Sequence, residues 1–194
     1  EIFVATDIST GANNWLGTAG TSVAPPPYFG SRGLFGGGNS YSNEIDYITI
    51  STTGNATDFG DLTAARMSLA ACSNGTKGVF GGGSTGTNSN VIDYVTIAST
   101  GNASDFGNLT VARWGPGACS DGTKGLFGGG GSSNVIDYVT IATTGNATDF
   151  GDFVDPPRAT TATDYMGACS DGTKGVWGAG GWLASNTIDY ITIA

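Results

Sequence analysis

Gly78-Val79-Phe80-Gly81-Gly82-Gly83, followed by Val91-Ile92-Asp93-Tyr94-Val95-Thr96-Ile97, decides the fold of this chain because the pair recurs. The glycine element returns as Leu34-Phe35-Gly36-Gly37-Gly38, Leu126-Phe127-Gly128-Gly129-Gly130 and Val176-Trp177-Gly178-Ala179-Gly180. The second element returns around Ile45-Asp46-Tyr47, Ile136-Asp137-Tyr138 and Ile188-Asp189-Tyr190. A period of roughly 46 residues is the signature of a repeat architecture, in which one supersecondary unit is stacked several times.

Within one period the local signals are those of strands. The run Val91 to Ile97 is β-branched and aromatic, and its alternation sets Ile92, Tyr94 and Thr96 on one side against Val91, Asp93, Val95 and Ile97 on the other. Ser99-Thr100-Gly101-Asn102 has turn composition, and Ala103 to Gly107 reads as a third strand carrying Phe106. Gly117-Ala118-Cys119-Ser120 reads as a fourth, after which Asp121-Gly122 supplies a hairpin turn into the next glycine strand. The glycines of the first strand suit a crowded place where backbones approach closely, such as the centre of a ring.

The remaining composition narrows the function. The chain has 194 residues, a length suited to a single domain over 1–194, with approximate repeats 33–77, 78–124 and 125–174 between partial ones at 1–32 and 175–194. Its 34 glycines at fixed places and 12% charged residues exclude a helical protein and an ordinary disordered tail. A formal charge of −9 argues against a nucleic-acid or anionic-membrane partner, and no apolar run is long enough for helical membrane insertion. Histidine is absent and no Cys-x-x-Cys occurs, so neither metal nor cofactor is expected. Cys72, Cys119 and Cys169 occupy one place in three repeats and read as small buried hydrophobes.

A glycine-rich strand, an aromatic in the next strand, another two strands on, and an Arg before the closing strand together resemble the kelch repeat over almost the whole chain. Phe59, Phe106 and Phe150 stand where that family usually has Trp. The resemblance implies an all-β, kelch-like β-propeller of about four blades of four antiparallel strands; a segment of a larger propeller and an open β-repeat array are the alternatives. Glu1 to Gly17 aligns with Val91 to Gly107 without a gap, so the chain would begin and end on the same strand and could close a ring by overlap.

Strand alternation sends the connections after strands one and three to one face, where they differ in length and chemistry among repeats. The opposite connections are nearly constant, Ser/Thr-Thr-Gly-Asn and Asn/Asp-Gly-Thr-Lys. Individualised loops on a constant scaffold are where binding residues concentrate. Tyr41, Trp114, Tyr165 and Trp182 lie in them and are the ligand-binding candidates, suited to stacking on sugar rings. Asp46, Asp93, Asp137 and Asp189 repeat with Arg66, Arg113 and Arg158; repetition in every unit favours a structural part, as an ion pair between blades or a carboxylate accepting backbone N–H groups.

The stretch Tyr138 to Asp152 also resembles repeats of bacteriophage tail-fibre and other virion proteins. That resemblance implies a noncatalytic binding or adhesion module on a virion surface or secreted to the exterior, with a cell-surface glycan or receptor as partner. Other virion proteins, or self-association into a structural fibre, form the alternative. A propeller glycosidase is the weaker reading, because the repeated arginines would have to leave equivalent blade positions to form a site, and copper enzymes on this fold need histidine.

Overall fold

The computed structural model describes residues 31–153, 165–178 and 188–193, with three two-residue strands nearer the N-terminus. Every regular element among them is a strand, and all pairing between strands is antiparallel. The first sheet is β1 (Val4–Ala5), β2 (Trp15–Leu16) and β3 (Ser22–Val23). The second is β4 (Arg32–Gly36), β5 (Ser42–Thr49) and β6 (Thr57–Arg66). Two four-stranded meanders follow. One is β7 (Ala70–Ser73), β8 (Lys77–Gly81), β9 (Val91–Thr96) and β10 (Ser104–Asn108). Its counterpart is β11 (Gly117–Ser120), β12 (Lys124–Gly128), β13 (Val135–Thr140) and β14 (Thr148–Asp152). The last comprises β15 (Gly167–Ser170), β16 (Lys174–Gly178) and β17 (Ile188–Thr192). The four sheets from β4 to β17 are called A to D below, in chain order.

Two expectations are corrected by this topology. The Ala-Cys-Ser strand does not close the unit before it. It opens the unit after it, pairing with the glycine strand across a tight hairpin, Cys72 against Val79 and Cys119 against Leu126. The cause is the turn: the Oδ1 of Asn74, Asp121 or Asp171 accepts from the two backbone N–H groups two and three residues on, and Gly75, Gly122 and Gly172 take φ near +85°. So tight a link leaves adjacent strands no choice but to pair. It also moves the glycine strand to second place in its sheet, while β7, β11 and β15 become the strands at which neighbouring sheets lie closest. The expected ring closure is not seen either. β1 pairs with β2, and β17 pairs with β16 alone among the described residues.

The hydrophobic core lies between the sheets, in three separate layers. Phe80 of sheet B and its side of β9, with Val95, face Ile45, Phe59 and Leu62 of sheet A. Phe127, Val139 and Ile141 of sheet C face Val79, Ile92, Phe106 and Leu109 of sheet B. Trp177 and Ile193 of sheet D face Leu126, Ile136 and Phe153 of sheet C. Each sheet therefore has a leading face carrying the large ring and a trailing face carrying the Ile and Tyr of the second element.

The recurring glycines make room for the ring. An added Cβ at Gly36 would lie 2.9 Å from Phe80, one at Gly81 2.6 Å from Phe127, and one at Gly128 within 3.0 Å of Trp177. The Cys strand uses the same device: a Cβ on Gly125 would sit 2.6 Å from Cys72 Sγ, and one on Gly175 2.8 Å from Cys119 Sγ. Polar links run alongside. Arg32 donates to the Ile97 carbonyl, Lys77 to Ala142 and Lys124 to Ile193, each across one interface. The Thr-Gly-Asn turn of one sheet pairs with the outer strand of the sheet before it, through Gly101 N to Phe59 O and Gly145 N to Phe106 O.

Candidate functional site

The antiparallel ladders place the β8–β9 and β12–β13 connections at one end of the sheets, together with the segments leading into β7, β11 and β15. These segments are laced laterally by backbone bonds: Gly115 N donates to Ser68 O, and Met166 N donates to Gly115 O. The result is a continuous rim across sheets B, C and D on which side chains can be held.

Two of the four candidate aromatics meet on that rim. Trp114 and Tyr165 pack edge to face, ring centroids 5.1 Å apart, although 51 positions separate them in sequence (165 minus 114). Tyr165 is exposed, Trp114 half-buried. Tyr165 takes φ of +60°, the place that Ser68 and Gly115 fill in the preceding sheets at +56° and +68°. A bulky ring in the left-handed region costs on the order of 1–3 kcal/mol and persists where a site gains from it. Tyr41, in the β4–β5 connection, is likewise exposed with φ of +60°. It belongs to sheet A and makes no ring contact with the Trp114–Tyr165 pair. Trp182 lies outside the described residues.

Beneath the rim sit the two carboxylate clamps. Arg66 runs from the end of β6 into sheet B, where Nη2 meets Asp93 at 2.5 Å and Nη1 donates to the carbonyls of Gly82 and Val91. Arg113 repeats this on sheet C, with Asp137 at 2.6 Å and the carbonyls of Phe127 and Val135. Thr63 and Thr110 complete each clamp, donating both backbone N–H and hydroxyl to the same carboxylate. Both ion pairs are fully buried. Desolvation pulls the two guanidiniums below their ordinary pKa, against the opposing pull of the carboxylates, and Nε of each is left without a partner. A buried pair whose carboxylate and both Nη atoms are engaged fixes one sheet on the next and offers no open position to a substrate. Asp46 differs: it is exposed on the leading face of sheet A, with no ion-pair partner among the described residues. Arg158 lies outside them, and Asp189 stands in register with Trp177 on β16.

The sequence reading missed Thr63 and Thr110. A Thr-x-x-Arg spacing at Thr63 and Arg66, and again at Thr110 and Arg113, was the available signal. The cysteines need a second correction. Cys119 is buried and Cys72 half-buried, but Cys169 is exposed, with no neighbour covering the trailing face of sheet D among the described residues. Burial pushes the Cys119 thiol up to about 12, with Cys72 raised in the same direction. Among the described residues no group of three or more His, Cys, Asp or Glu could hold a metal, and no helix is long and apolar enough to cross a membrane. Neither a protein-family profile nor any curated protein matches this chain.

Proposed function

We propose that the chain is a noncatalytic recognition module, a kelch-like propeller or arc of blades that binds a cell-surface glycan through the rim loops, in the setting of a virion appendage or secreted adhesin. The observation that carries this reading is the Trp114–Tyr165 pair, an edge-to-face aromatic corner whose Tyr165 sits in strained backbone at the accessible end of the sheets. An aromatic corner of this kind offers a C–H-rich sugar face a stacking surface, and the Asn and Ser side chains of the neighbouring loops offer its hydroxyls partners. The strain argues against a merely structural ring, since Ser68 and Gly115 fill the same place without one. Asp93 and Asp137, sealed in clamps with Arg66 and Arg113, are not an accessible carboxylate pair of the kind a glycosidase uses.

The test is a glycan array probed with the intact chain, followed by titration of the best ligand against Trp114→Ala and Tyr165→Ala. Loss of one stacking ring should weaken binding about tenfold or more with circular dichroism unchanged. Retention of full affinity by both variants, or an array with no ligand, would reject the reading.

A further inference from the structure

The three internal interfaces define what each sheet offers its neighbours, and among the described residues sheets A and D each keep one unmatched half. The leading face of sheet A presents Phe35 at 60% exposure and Ile50 at 65%. The trailing face of sheet D presents Ile188 at 71% and Tyr190 at 67%, and a Cβ on Gly178 would meet nothing within 4 Å. In all three internal layers the ring lies over the glycine and a Lys or Arg of one sheet donates to a carbonyl of the next, and in the two layers behind sheets B and C the Cys lies over the glycine of the next second strand. We propose that the leading face of sheet A docks on the trailing face of sheet D in a second copy of this chain, head to tail.

The occupant follows from continuity with an interface the molecule already builds three times. Phe35 would lie over Gly178 of the second copy as Phe80 lies over Gly36, and Cys169 would lie over Gly33 as Cys72 lies over Gly125. Lys174 would reach the Ile50 carbonyl as Lys124 reaches Ile193. Ile188 and Tyr190 would cover Ile48 and Ile50, the positions that Val95 and Ile97 hold when buried. Phe35 and Gly178 belong to one chain yet do not meet within it, so both halves are available at once. Such a contact is heterologous, and repetition yields a larger ring if the rotation closes and a filament if it does not. Association through sheet faces also differs from pairing through unsatisfied strand edges, because it uses side chains rather than backbone groups.

Sedimentation velocity on the intact chain over a wide concentration range tests this. The expected result is concentration-dependent association, weakened roughly a hundredfold by Phe35→Ser, as loss of one buried aromatic side chain implies. Ile188→Ser should act similarly, and both residues are exposed in the single chain, so neither change should unfold it. An equimolar mixture of the two variants retains one good face on each partner and should stop at a one-to-one dimer. A wild-type chain that stays monomeric throughout, or variants that associate as well as wild type, would overturn the proposal. A second readout separates copies from self-closure: Gly33→Cys, oxidised, should give a disulfide to Cys169 between two chains, lost on Cys169→Ser. The same disulfide formed within one chain would also overturn the proposal.

Discussion

Phe35 and Phe127 sit in the same five-residue motif at the same register, yet one is 60% exposed and the other 0%. Asp46 and Asp137 repeat the contrast, as do Cys169 and Cys119. Nothing in the motif distinguishes them. What differs, among the described residues, is whether another sheet stands against them, so in this molecule burial belongs to the interface rather than to the residue. A stacked architecture has this property in general: each unit offers an apolar face that only the next unit can cover.

The comparison can be broken most sharply at the carboxylates. Asp137→Ala should destabilise by about 4 kcal/mol in urea unfolding, because it leaves Arg113 buried without its counter-charge. Asp46→Ala should stay within about 0.5 kcal/mol. Equal effects would mean that the clamp contributes nothing specific. At the rings, Phe127→Ala should cost about 3 kcal/mol by opening a cavity against Gly81 and its surroundings, whereas Phe35→Ala measured on dilute monomer should cost little.

A smaller difference is expected at the outer strands. Gly107 and Gly151 both have positive φ, +146° and +140°, at equivalent bulges. A Cβ on Gly107 would strike the Gly145 carbonyl at 2.4 Å, and one on Gly151 would meet nothing. Gly107→Ala should therefore exceed Gly151→Ala by about 1 kcal/mol, the shared backbone strain cancelling between them. The least costly check is thiol alkylation at about pH 8, where exposed Cys169 should label before Cys119, whose thiolate is suppressed by burial. The sign is the same for stability. A thiol with raised folded pKa stabilises fully below the ordinary thiol value near about 8.5 and loses that contribution as pH climbs toward about 12.

Much of the fold was legible in the residues, for identifiable reasons. Val91 to Ile97 announces its strand through β-branching and alternation, and β9 spans Val91–Thr96. The grouping of strands was less legible. Gly117 to Ser120 ends one sequence repeat and starts the next sheet, and only the pairing across Asp121-Gly122 shows which side it joins. The candidate site divides in the same way. Exposed aromatics in irregular loops could be picked out singly, but Trp114 and Tyr165 are adjacent only because neighbouring sheets bring the two loops onto one rim. Thr63 and Thr110 went unnoticed because a threonine declares no partner until a carboxylate from the next sheet arrives.

The residues alone set the all-β class, the repeat, the positions of the turns and the recurrence of a large side chain beside glycines in each unit. These rest on local backbone preference and side-chain volume, which each segment carries alone. Only tertiary packing settles which strands share a sheet, which carboxylates are sealed into clamps, and which faces of sheets A and D stay open among the described residues. Those depend on the rotation from one sheet to the next, a sum over many weak contacts between distant residues that no single segment encodes.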